Sequence, residues 1–231
     1  MLIRVITGVV VVQLILSCLY LVKAAVWPVA FCGVELVAIE LALIAAFCLI
    51  HSYVTRGLFW TLFFFAVSFL LTFASEYLSM YHGLWGLKYE YSRGMGRWIL
   101  GLPLMVAAAG YGIIYTSHAM TDWMLIRGKA EKTGPALFLK ASVITALIVT
   151  AWDTMVDPLA VYLGWWTWEG GGAYCSEIGG GTPLANYWGW FFIVLVVSMA
   201  GRSIGLKSGA VVTGGDARPV LLVVLYSLWF T

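Results

Sequence analysis

The stretch Leu58–Met80 reads LFWTLFFFAVSFLLTFASEYLSM, an apolar run in which Glu76 is the one charged residue. A hydrocarbon layer about 30 Å thick is crossed by ~20 such residues in a helix, so this run predicts a transmembrane span. Apolar runs at Leu2–Val22, Ala30–Ser52, Trp98–Met120, Ala136–Tyr162, Asn186–Leu206 and Pro219–Thr231 read the same way. Composition agrees: 62% of the 231 residues are hydrophobic and only 10% charged, whereas soluble domains carry about 25% charge. The expectation is an all-α, polytopic transmembrane bundle of about seven spans, one integral-membrane domain over residues 1–231. The first run outlasts the ~7–15-residue core of a secretory signal and is expected to stay as a helix. The last has only 13 residues, which implies either a short tilted segment or a chain that continues.

Charge sets the orientation and excludes one class of partner. Thirteen Lys and Arg against eleven Asp and Glu leave a net charge of +2, with no basic arm to neutralise phosphates, so nucleic acid is excluded. A cytoplasmic N-terminus places Arg4, Arg56, Arg127, Lys129, Lys132, Lys140, Arg202, Lys207 and Arg218 inside. Lys23, Lys88, Arg93 and Arg97 then lie outside, the asymmetry expected of a multi-pass protein in the cytoplasmic membrane. Cys18, Cys32 and Cys48 sit in apolar runs and Cys175 in a polar loop, so all four read as free thiols.

That topology gathers the unusual polar residues on one side of the membrane. Glu76 ends the third span, Trp85 and Tyr89-Glu90-Tyr91 follow in the next outer loop, and Asp153 and Asp157 end the fifth span. Trp165, Trp166, Trp168 and Glu169 occupy the loop after it, and Asn186 opens the sixth span. An acid in a hydrocarbon layer costs about 2.5–3.5 kcal/mol and so faces the bundle interior, usually with a task. Four residues apart, Asp153 and Asp157 share a helix face. Two carboxylates held close in a dry medium cannot both ionise cheaply, so one keeps its proton and is equipped as a general acid. A structural alternative has Asp157, before Pro158, capping a helix break while Asp153 bonds a neighbouring helix. Glu76 reads either as part of the same chemistry or as an interfacial acid beside Tyr77. Glu35 and Glu40 either join the site or bridge helices.

The aromatic residues fit interfacial belts, and their ring faces also suit a cationic intermediate. His51, His82 and His118 fall at different span ends without ligand spacing, and the clusters Gly170–Gly172 and Gly179–Gly181 lack the context and lysine of a phosphate loop. No metal, nucleotide or redox cofactor is therefore expected. A dry cavity with several carboxyls and aromatic walls suits acid–base chemistry on a lipid-soluble substrate.

Ser75-Glu76-Tyr77, Trp85-Gly86 with Tyr89-Glu90-Tyr91, Gly101-Leu102-Pro103-Leu104, Ala151-Trp152-Asp153-Thr154-Met155-Val156-Asp157-Pro158 and Gly164-Trp165-Trp166-Thr167-Trp168 resemble the integral-membrane carotenoid hydratases. These belong to the carotenoid biosynthesis family that includes the γ-carotene and bisanhydrobacterioruberin hydratases. Gly181 to Trp190, with Asn186, is similar to the same pattern, and the likeness spans about residues 70–205. It implies cofactor-free addition of water to the terminal 1,2 double bond of an acyclic carotenoid. Asp153, Asp157 and Glu76 would be the catalytic acids. Tyr77, Trp85, Tyr89, Glu90, Tyr91, Trp152, Trp165, Trp166, Trp168, Glu169 and Asn186 would line the substrate. Its partners would be carotenoid, water, membrane lipid and other enzymes of the pathway. The rival readings are a lycopene-type cyclase, which captures the same cation with a double bond, and a non-catalytic carotenoid or isoprenoid binder. A prenyltransferase is disfavoured because a second Asp-rich motif is missing.

Overall fold

A computed structural model describes residues 34–126, 134–174 and 181–208. Five long helices account for most of them: α1 (Val34–Arg56), α2 (Leu58–His82), α3 (Leu104–Leu125), α4 (Pro135–Tyr162) and α5 (Leu184–Ser208). By length and apolar composition three can cross a membrane, Leu58–His82, Pro135–Tyr162 and Leu184–Gly205, and Leu41–Arg56 is a shorter apolar helix. The expected first and seventh spans, Leu2–Val22 and Pro219–Thr231, lie outside the described residues, as do Cys18, Cys32 and Cys175. Cys48 is a buried free thiol.

The helices run alternately up and down. α2 packs on α3 and α5, and α4 packs on the same two, so α2 and α4 face each other across a four-helix ring; α1 lies outside against α2 and α3. The surface is apolar where a soluble bundle would be polar, with Phe59 66% and Leu70 62% exposed. Polar side chains such as Ser68, Thr72, Asp122 and Arg202 are buried instead. That pattern fits hydrocarbon outside and a polar interior, and marks the chain as membrane-associated.

Lipid tails are as apolar as leucine, so the helices must be held by close packing and interhelical hydrogen bonds. Gly201 on α5 allows such an approach: a Cβ there would come within 2.6 Å of the Phe64 ring. Phe64 stacks on Trp60 with centroids 4.6 Å apart, and the Trp60 indole N–H donates to the Gly201 carbonyl at 2.8 Å. Around this contact Tyr115, Ile114, Val149, Val194 and Val197 complete the core.

Two sequence expectations are revised. The helix expected from Trp98 begins at Leu104, because Trp98–Ile99 (β2) and Leu102–Pro103 (β3) form a small antiparallel hairpin first, and Leu104–Leu125 is not among the three helices that qualify as spans by length and apolar composition. Hydropathy cannot separate this apolar hairpin from a helix, and its turn uses Leu100 and Gly101 at positive φ. The second revision concerns Asp157, which caps no break: α4 runs through Pro158 to Tyr162.

The loops expected on one side are paired strands. Lys88–Tyr91 (β1) and Trp166–Gly170 (β4) are antiparallel, with Tyr89 opposite Trp168 and Tyr91 opposite Trp166, and a bulge at the Lys88 end. This two-stranded sheet covers the end of the bundle where α2 and α4 finish and α5 begins.

Candidate active site

Strand alternation decides which loop residues turn inward. Tyr89 and Tyr91 face the bundle, whereas Lys88 and Glu90 are exposed. Both phenols donate to one oxygen, Oε2 of Glu76: Tyr91 at 2.7 Å, and Tyr89 in a shorter bond. Their rings meet edge to face at 5.4 Å. Trp168 lies 4.7 Å from the Tyr89 ring and Trp166 5.7 Å from that of Tyr91, which builds an aromatic roof over the carboxyl group.

Beneath that roof Asp153 and Asp157 are buried on one face of α4. A single side chain joins them. The Asn186 amide nitrogen donates one hydrogen to Asp153 Oδ2 at 3.0 Å and the other to Asp157 Oδ2. Glu76 is near enough for its charge to act on both aspartates. The three acids and Asn186, drawn from α2, α4 and α5, thus form one cluster, with Asp153, Asp157 and Asn186 buried and Glu76 half-buried.

Burial pushes the Tyr89 and Tyr91 phenols well above the usual tyrosine value, and the negative charges of Glu76 and Asp157 push the same way. Both are proton donors across the physiological range. Because the folded chain holds these protons harder than the unfolded one, stability should fall as pH rises above about 10, the ordinary phenol value. Tyr89→Phe/Tyr91→Phe should remove part of that alkaline slope in a denaturation series. An unchanged slope would count against the burial of these phenols.

The other expected residues take varied positions. Trp152, beside Asp153, and Trp168 keep buried indole N–H groups with no protein partner among the described residues. Trp165 is half-buried, and its carbonyl accepts from the Ser92 N–H at 2.8 Å. Trp85 adopts φ 61° and stacks on Phe192 at 6.0 Å. Tyr77 lies at the surface and packs on Tyr81 and His82 of its own helix. Glu169 sits in the bulge and pairs with Lys88 at 2.7 Å on the outer face. Glu90 also points outward, so neither acid joins the cluster. Glu35 and Glu40 fall in α1 (Val34–Arg56), their side chains outside the described residues.

A second polar cluster, missed in the sequence, lies at the opposite end of the bundle. Asp122 on α3 accepts from Arg56 at 2.7 Å and from the Arg202 Nε at 2.9 Å. Arg202 also donates to Ser142 and Thr145. His118 lies 3.3 Å from Asp122 and bonds Ser198 through its other ring nitrogen. Arg56 and Arg202 are therefore buried partners and not loop charges, which removes two residues from the count that set the orientation. The signal was present, since Asp122 is an acid in an apolar helix.

A family model described as "Carotenoid biosynthesis protein" matches residues 33–231. No curated protein matches the chain, and neither does any solved structure. The matched region contains every residue of the carboxyl cluster and its aromatic roof. This chain belongs to the carotenoid biosynthesis protein family.

Proposed function

We propose that the protein is a cofactor-free hydro-lyase, acting as a multi-pass enzyme of the cytoplasmic membrane, that adds water to the terminal 1,2 double bond of an acyclic carotenoid. The observation that carries this reading is the cluster of half-buried Glu76 and buried Asp153, Asp157 and Asn186 beneath Tyr89 and Tyr91. Family membership supports a lipophilic carotenoid substrate.

In this reading the hydrogen bonds support a choice of reacting oxygens. Each Oδ2 of the aspartates accepts from Asn186, so the transferable proton resides on an Oδ1. Oε2 of Glu76 is taken by two phenols, which leaves Oε1 to receive a proton from water. In the reaction the π electrons at C2 take the aspartate proton and form a C–H bond. A tertiary cation remains at C1, steadied by the faces of Tyr89, Trp166 and Trp168. A water oxygen forms the C1–O bond and yields its proton to Glu76. Return of that proton to the aspartates resets the enzyme, and the net change is addition of one water.

Co-expression with an acyclic carotenoid pathway should yield a tertiary alcohol. Oxygen-18 water should label the new hydroxyl, and deuterium oxide should place deuterium at C2. A hydroxyl oxygen derived from dioxygen would overturn hydration. A cyclised product without a hydroxyl would establish the cyclase reading instead.

A further inference from the structure

Helical serine and threonine hydroxyls in this chain usually bond back to their own helix. Thr55, Thr61, Thr116, Thr121 and Thr145 all donate to the carbonyl four residues before them. Three hydroxyls depart from the habit: Ser68 and Thr72 on α2 and Thr150 on α4 are buried without a protein partner among the described residues. Ser68 is 0% and Thr72 1% exposed. A buried hydroxyl left without a hydrogen bond is costly, and ordered water is the common remedy.

Their positions form a pattern. Ser68, Thr72 and Glu76 recur every four residues on the buried face of α2, and each step rises about 6 Å. One water making two hydrogen bonds of ~2.8 Å each spans nearly the same distance. On α4, Thr150 precedes Asp153 and Asp157 by three and seven residues, which places it on their face. The two stripes stand on the helices that oppose each other across the ring. Below Ser68 the α2 face continues into Phe64 and Trp60, packed against Gly201, so the polar stripe ends in an aromatic plug.

We infer that Ser68, Thr72 and Thr150 hold a short internal file of water that leads to Glu76 and the aspartates and is closed at its far end by Phe64 and Trp60. This rests on the hydration reading and deepens it. A long apolar substrate bound under the aromatic roof would block the approach of water from that end, so the captured molecule must already be stored inside. Glu76 is the last member of the α2 stripe, and water bonded to Thr72 reaches its carboxyl group. Ser68, Thr72 and Thr150 are positioning residues: they hold the nucleophile and transfer no proton to the substrate.

The test separates protonation from capture. In deuterium oxide a cation that finds no water loses a proton from a neighbouring carbon and returns to alkene carrying deuterium. Thr72→Val preserves shape and removes the hydroxyl. It should lower hydroxylated product about tenfold, the effect of one lost hydrogen bond, while deuterium exchange into unhydrated carotenoid persists. Thr72→Ser should restore hydration, and Ser68→Ala should show a weaker version of the same split. Hydration equal to wild type in Thr72→Val/Ser68→Ala would overturn the proposal. So would equal loss of exchange and hydration in a folded Thr72→Val protein, which would place Thr72 in the acid chemistry itself. A structure that shows ordered water should have it bonded to Ser68 Oγ and Thr72 Oγ1, and dry hydroxyls there would refute the file. That readout stands even if the wild-type protein hydrates no carotenoid, a result that would defeat the parent reading alone.

Discussion

Asp153→Asn, Asp157→Asn and Glu76→Gln should each reduce carotenoid hydration by about 10²–10⁴-fold, the usual contribution of one general acid or base. The substitutions keep side-chain shape, and Asn186 still finds a carbonyl oxygen to receive its hydrogens. The fold should therefore survive, and carotenoid should still co-purify with the inactive variants. Product chromatography after co-expression measures the loss. The two aspartates share Asn186, so the double variant should be little worse than the more damaged single one, as for residues that act as a unit. If all three variants kept wild-type turnover, the cluster would be structural and the proton transfer would belong to other groups.

The largest effect on stability belongs to the other end of the bundle. Asp122→Asn leaves the buried guanidinium groups of Arg56 and Arg202 without their counter-charge, and breaking such a pair by removing one partner costs about 3–5 kcal/mol. Thermal unfolding in detergent should show a clear fall in midpoint. Replacing the network together, as Arg56→Met/Asp122→Leu/Arg202→Met, should recover much of the loss, because well-packed apolar side chains avoid the desolvation that the ions must offset. A wild-type midpoint for Asp122→Asn would show that the network does not hold α1, α3, α4 and α5 together.

These two clusters also show what a linear reading reaches. Long apolar runs locate α2, α4 and α5 because a helix in lipid must satisfy its own backbone and present apolar side chains outward. The shared face of Asp153 and Asp157 follows from helical period alone, and the structure puts them under one amide. The strands were harder. Lys88-Tyr89-Glu90-Tyr91 alternates in the manner of a strand with two unlike faces, and that period separates the inward tyrosines from the outward Glu90. The pairing of β1 with β4 joins segments more than seventy residues apart, and no local signal encodes it. Asp122 was overlooked for the same reason. Its partners Arg56 and Arg202 come from α1 and α5, and each alone resembles a charge at a helix end. The hydroxyls of Ser68, Thr72 and Thr150 look ordinary in sequence, because most such groups bond their own helix.

Because the acid cluster draws on α2, β1, α4 and α5, its parts emerge from the ribosome at different moments. Glu76 precedes Asn186 by ~110 residues, and at ~5–20 residues per second this is an interval of ~5–20 s. Its phenols, Tyr89 and Tyr91, follow within 15 residues, but over that whole interval Glu76 has no completed cluster around it and the aspartates lack their amide. Each unsatisfied acid costs about 2.5–3.5 kcal/mol there. α5, the last contributor to the cluster to be made, relieves the burden on Asp153 and Asp157, so a nascent chain halted before it carries its reactive groups at their most expensive.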